Sequence, residues 1–244
     1  MTRRIGSTLV VVLLVALAGC TGGGDDAASA DGTLVANRTA AIEAAGSYAS
    51  VWRMRSLEDG VVVGETTYRT AVDYENERYS FEATIADDGE VDTSVATYFA
   101  DGTLAQRIGD DGDVQYASSD QTFTAGSLSS LGRAPFVATT GSLDGFTEVG
   151  TETFDGVTVT HDEMNRAASW VAARGGSDDF QWNEFAYVVL VDEQGLVRSE
   201  TWRGTGTTDD GATRGVEFTY ELTGVGDTTV AAPDWVEQAR AASA

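Results

Sequence analysis

Val216-Glu217-Phe218-Thr219-Tyr220-Glu221-Leu222 alternates apolar and polar residues without a break. A two-residue period puts one set of side chains on each side of an extended chain, so this stretch predicts a strand with one buried and one wet face. The same period recurs upstream. Tyr79, Phe81, Ala83 and Ile85 alternate with Ser80, Glu82 and Thr84, and Trp52 and Met54 oppose Arg53 and Arg55. Val62, Tyr68, Val72 and Tyr74 oppose Glu65, Arg69 and Asp73. Strands wet on one side belong to antiparallel sheets.

The turns agree with that reading. Asp-Gly occurs at 59–60, 88–89, 101–102, 111–112, 155–156 and 210–211, and this dipeptide is a strong two-residue hairpin signal. Strands are predicted over 48–57, 61–74, 77–86, 91–100, 103–109, 113–117, 146–153, 157–162, 185–191, 196–203 and 216–222, which makes about eleven. Phe185 to Val191 is apolar at every position, as for a strand covered on both sides. Leu34 to Ala45 reads as a short helix stopped by Gly46, and 165–174 as a second, with Asn165 as N-cap and Gly175-Gly176 as its stop. Pro233-Asp234-Trp235-Val236 opens a C-terminal helix with proline in its first turn. Residues 118–145 lose the alternation and predict a covering segment with a turn or two of helix.

The chain of 244 residues carries 39 acidic and 15 basic side chains, a formal net charge of -24, and every basic residue is an arginine. Such a charge strains a compact fold by self-repulsion in dilute salt. At about 1 M salt the screening length falls to about 3 Å, and scattered carboxylates hardly interact. The composition therefore fits a halophile, or an acidic protein from a GC-rich genome. Nucleic acid is not expected as a partner, because phosphate binding needs clustered cations and these arginines are dispersed.

The N-terminus carries an export signal. Arg3-Arg4 supplies positive charge, Leu9 to Ala18 is an unbroken apolar run, and Ala18-Gly19 supplies small residues for a peptidase. Crossing a bilayer takes about 20 apolar residues, so the run is too short for a permanent span. The arginine pair leaves both Sec and twin-arginine export open. Leu17-Ala18-Gly19-Cys20 resembles the lipobox of prokaryotic lipoproteins, which implies cleavage before Cys20 and lipid on its thiol. Thr21 to Gly32 is Gly-, Ser- and Asp-rich and predicts a flexible tether. Asn37-Arg38-Thr39 is the only Asn-x-Ser/Thr sequon, making Asn37 a candidate glycan acceptor.

Signals for chemistry are sparse. His161 is the only histidine and Cys20 the only cysteine, so no His/Cys metal cluster can be assembled, and no Gly-x-Ser-x-Gly elbow presents a nucleophile. Asp87-Asp88-Gly89-Glu90 and Asp110-Asp111-Gly112-Asp113 lack EF-hand spacing and read as solvated turns. The remaining acids neither nominate nor exclude a glycosidase pair. No catalytic residue, metal or cofactor is expected.

Eleven hairpin-connected strands with helices before, between and after them resemble the LolA/LppX-like half-barrel lipoproteins: a curved, open antiparallel sheet covered by helices. Tyr48 with Trp52, Val191-Asp192-Glu193-Gln194-Gly195-Leu196-Val197 and the closing Pro233-Asp234-Trp235-Val236 are similar to haloarchaeal surface lipoproteins of unknown function. The resemblance implies an α+β fold that is mainly antiparallel β, divided into a signal peptide (1–19), a lipidated tether (20–32) and one half-barrel domain (33–244). It further implies a monomer on the outer face of the cell membrane, held there by the lipid on Cys20. The concave sheet is then expected to hold a hydrophobic ligand such as a lipid or isoprenoid, with Trp52, Tyr68, Phe81, Trp202, Phe218 and Tyr220 as its apolar lining. The alternative is a non-catalytic envelope module whose aromatics are simply its core.

Overall fold

The computed structural model describes residues 34, 38–109, 113–129, 143–165, 180–208 and 211–242. Cys20, Asn37, the tether and the predicted helix beyond Asn165 lie outside them.

Among the described residues eleven strands form one antiparallel sheet, in two meanders. The first is β1 (Ser47–Glu58), β2 (Val61–Asp73), β3 (Arg78–Asp87), β4 (Glu90–Ala100), β5 (Thr103–Gly109) and β6 (Val114–Asp120). The second is β7 (Thr147–Phe154), β8 (Val157–Met164), β9 (Phe180–Asp192), β10 (Val197–Thr208) and β11 (Thr213–Thr223). The spatial order is β6-β5-β4-β3-β2-β1-β11-β10-β9-β8-β7, so the meanders join through β1 and β11 and the sheet is open, with β6 and β7 at its edges. This is the predicted open sheet of eleven strands. Among the described residues no helix is long and apolar enough to cross a membrane.

The Asp-Gly turns explain the precision of the register. Asp59-Gly60, Asp88-Gly89, Asp101-Gly102 and Asp155-Gly156 each place both residues at positive φ, between 47° and 83°. A two-residue loop in that conformation matches the right-handed twist of its flanking strands, and Asp followed by Gly tolerates it best. The β2–β3 turn has no such dipeptide. There Glu77 takes a φ of 49°, while Asp73 accepts hydrogen bonds from the backbone and side-chain nitrogens of Asn76 at 3.0 and 2.7 Å.

Directly paired residues share a face. One face, called inner here, carries Tyr48, Trp52, Val72, Tyr187, Phe218, Tyr220 and Leu222 in the larger apolar cluster. At one end of the sheet this face is covered by α1 (Arg38–Ala44) and α2 (Ala125–Ser129) through Ile42 and Leu128. Fully buried Tyr48 donates a hydrogen bond to the Leu128 carbonyl at 2.5 Å, tying α2 to β1. Gly46, at φ 79°, ends α1 as expected, because a helix stop needs a left-handed residue.

The C-terminal helix departs from the expectation of helices over one concave side. α3 (Val236–Ala242) packs through Val236 and Ala239 against Tyr98, Ala100 and Ala105, which lie on the opposite, outer face of β4 and β5. It begins after Pro233 rather than with it. The reason is in the strand pattern: Tyr98 and Ala100 alternate with Thr97 and Phe99, so β4 is apolar on both sides at this end and needs a cover on each.

Candidate functional site

Across the inner face, aromatic rings contact one another from strand to strand. Phe81 stacks on Tyr68 at 5.8 Å between centroids, Tyr68 meets Trp52 at 4.7 Å, and Trp52 meets Phe218 edge-on at 5.5 Å. Phe218 stacks on Trp202 at 6.1 Å, and Trp202 reaches Phe185 at 6.4 Å. The row runs over β3, β2, β1, β11, β10 and β9. These separations suit attractive offset and edge-to-face pairs.

The six aromatics expected to line a ligand therefore do come together, with Tyr220 directly opposite Trp52. Their surroundings differ. Trp202, Phe218 and Tyr220 are 8, 0 and 1 % exposed and belong to the packed core. Trp52, Tyr68 and Phe81 are only half buried. Beyond them on the same face, Ile85 and Ile108 are 46 and 44 % exposed. Val61, Val62, Val91 and Val149 are exposed as well, and all of these except Val149, on edge strand β7, lie toward the sheet end away from α1 and α2.

Charge is sorted between the faces. Inner-face positions of β1 to β5 run Tyr48, Ser50, Trp52, Met54; Thr66, Tyr68, Thr70, Val72; Tyr79, Phe81, Ala83, Ile85; Thr93, Val95, Thr97, Phe99; and Leu104, Gln106, Ile108. On edge strand β6 they are Gln115, Ala117 and Ser119. No Asp, Glu, Arg or His stands among them; acids begin only at the rim, with Glu58, Asp87 and Glu90. Arginines and acids of the same strands face outward and pair there. Arg55 Nε lies 2.7 Å from Glu65 Oε2, Arg53 approaches Glu65 at 3.7 Å, and Arg69 approaches Glu82 at 3.7 Å. The hydrogen bond from Arg55 holds the Glu65 carboxyl below the usual carboxylate range and raises Arg55 in turn.

The second meander is different, because its inner face carries acids that the sequence pattern did not single out. Glu200 is fully buried directly opposite Tyr220 and accepts a hydrogen bond from the Tyr187 hydroxyl. Burial, and secondarily Glu200, push the Tyr220 phenol well above its usual range, while Arg198 and Arg38 pull the other way. Asp162 pairs in register with Val189 and Glu148; it is 7 % exposed, and its Oδ2 has no hydrogen-bond partner. Burial first and Glu148 second raise its pKa, against an opposing pull from His161. The available signal was a Glu at an inward-alternating position between Arg198 and Trp202, but a bulge at Arg198 shifts the phase just before it.

The remaining sites are plainer. His161 stands on the outer face with Nε2 3.2 Å from Glu163 Oε1, near enough for an ion pair when protonated but not oriented for a hydrogen bond. Asp87, Asp88 and Glu90 are exposed at the β3–β4 turn, and of the second acidic group only Asp113, also exposed, is described. Among the described residues no three His, Cys, Asp or Glu side chains converge on one point. A depression of about 400 Å³ lies across β1 and β9–β11, with Phe185, Gly204, Val216, Glu184, Arg203 and Glu217 among its lining; Trp52, Tyr68 and Phe81 do not line it.

No curated protein matches the chain. Solved structures similar to it include LprF from Mycobacterium bovis, at 12% identity over 83% of this chain and 99% of that chain with a TM-score of 0.38. The lipoprotein LppX from Mycobacterium tuberculosis is similar at 14% identity over 80% and 94%, with a TM-score of 0.34. A LolA superfamily protein from Nitrosomonas europaea is similar at 11% identity over 80% and 95%, with a TM-score of 0.21. Residues 30–239 match a family of unknown function (DUF7537), and the chain belongs to that family.

Proposed function

We propose that this protein is a non-enzymatic carrier or receptor that holds a hydrophobic molecule, such as a lipid or isoprenoid, against the inner face of its first meander. The observation that carries this reading is the charge sorting. In a chain of net charge -24, a face spanning six strands has no ionic side chain inside its rim and leaves Trp52, Tyr68, Phe81, Ile85 and Ile108 partly open to water. Covering about 200 Å² of such surface gives about 5 kcal/mol before the costs of association. That suffices for a reversible carrier.

Cys20 and the segment before it support placement at the outer side of the membrane, with lipid on the thiol and Thr21 to Gly32 as a tether. The acidic surface supports a setting of concentrated salt. A second reading, a structural envelope module with a filled interior, draws support from the second meander, where Trp202, Phe218 and Tyr220 are packed away.

Native mass spectrometry of the protein purified from its own host decides between them. A co-purifying apolar molecule that is lost in Trp52→Ala and Phe81→Ala supports the carrier. Protein emerging bare, with added long-chain lipids also failing to bind, leaves the envelope module.

A further inference from the structure

We infer that the molecule held on this face is uncharged where it meets the sheet, and that the protein selects neutral long-chain compounds over both fatty acids and alkyl amines. This rests on the carrier reading and narrows it to a ligand class. A carboxylate or ammonium brought onto the face sheds water and finds no counter-charge among the strand side chains inside the rim, because the inner positions described there on β1–β6 hold only apolar, hydroxyl, phenol and amide groups. Burying an ion without a partner is far more costly than burying a hydroxyl that keeps a hydrogen bond.

The polar groups present fit a neutral partner. Thr66 on β2, Thr93 and Thr97 on β4 and Gln106 on β5 lie among the apolar side chains of the face. Hydroxyls and amides both donate and accept, so they serve an alcohol, ketone or ester equally. The rim adds a second filter. Asp87 and Glu90 stand where a head group would cross the sheet end and repel anions, whereas Glu58 is held by Arg214 at 2.6 Å. A cation could meet those acids only by leaving the face, which forfeits contact between its tail and the Trp52–Tyr68–Phe81 rings.

The test titrates the mature protein in 1 M salt at pH 8 with dodecan-1-ol, dodecanoate and dodecylammonium, following bound ligand by equilibrium dialysis. The alcohol is expected to bind at least about tenfold tighter than either ion, as even 1.4 kcal/mol of unpaired-charge cost gives that factor. Ala83→Lys, and Ile85→Lys at a more exposed neighbouring position, should each reverse the order in favour of dodecanoate while circular dichroism shows the fold retained. Either ion binding wild-type protein within threefold of the alcohol overturns the inference and leaves the carrier reading standing. Failure of all three to bind removes both.

Discussion

Arg198 Nε lies 2.6 Å from Asp192 Oδ2 inside the β9–β10 hairpin, with both side chains more than nine-tenths buried. Asp192 Oδ1 also accepts the backbone N–H groups of Gln194 and Leu196, each at 2.9 Å. One carboxylate thus closes the turn and neutralises the bulged arginine. Removing one partner of a buried pair strands the other charge, so Asp192→Ala should cost about 3–5 kcal/mol in chemical denaturation. Replacing both, as Asp192→Asn with Arg198→Met, should cost less than the single change. A double variant as unstable as the sum of its singles would show the two side chains act independently.

Asp162 should behave in the opposite sense. Its folded pKa is raised, so its contribution is favourable when protonated and is lost as pH rises through the folded value. At neutral pH the fold therefore carries a desolvated carboxylate beside Glu148. Asp162→Asn is expected to stabilise the protein at pH 7, with the difference from wild type shrinking as pH is lowered toward 4. Urea midpoints across that range check it, and an Asn variant less stable than wild type at pH 7 would mean the carboxylate has a stabilising partner.

Tyr220 sets the alkaline limit by the same linkage. Burial and Glu200 raise its folded pKa, so its contribution is intact below the ordinary phenol range and disappears as pH climbs above about 10. Tyr79, raised by burial alone, adds in the same direction. Tyr220→Phe should flatten the loss of stability above pH 10 relative to wild type. An unchanged alkaline limb would place the sensitive group elsewhere.

The fold was legible because strand period and turn chemistry repeat the same instruction. Asp59-Gly60, Asp88-Gly89 and Asp101-Gly102 bound strands whose alternation already assigns the faces. Where bulges intervene the parity fails. Val62 has the same parity as Tyr68, yet a shift between Ser56 and Leu57 sets it opposite Leu57 on the outer side. The candidate site was half legible. Alternation marks which aromatics face inward, and Trp52, Tyr68, Phe81, Trp202, Phe218 and Tyr220 do share a face. It is blind to what covers that face, because cover comes from segments distant in sequence. For the same reason Glu200 went unremarked: a buried acid is defined by Tyr187, thirteen residues away, and not by its neighbours in the chain.

Cys20 provides a test outside the sheet. One acyl chain alone binds a bilayer only marginally, and the acidic domain has no basic patch to assist, so retention depends on the modified thiol carrying enough hydrocarbon. Cys20→Ser should shift the protein from the membrane fraction to the medium or leave it unprocessed. Mature Cys20→Ser protein still in the membrane fraction would overturn the anchor.

Phe81 and Phe218 belong to one row of rings but should respond in opposite ways to truncation. Phe218 is fully buried between Trp52 and Trp202, and Phe→Ala at such a site leaves a cavity that costs about 3–5 kcal/mol. Phe81 is half buried and stacks on Tyr68 alone among the described rings, so Phe81→Ala forfeits less apolar burial, about 1–2 kcal/mol. For binding the order reverses. Phe81 lies on the same face of β3 as exposed Ile85, with Ala83 between them, so its loss should weaken dodecan-1-ol binding about tenfold, whereas Phe218→Ala, where it still folds, should leave affinity within about threefold. Equal stability losses would mean that both halves of the face are core. An affinity loss confined to Phe218→Ala would move the ligand to the second meander, where it must displace the cover over Trp202 and approach Glu200.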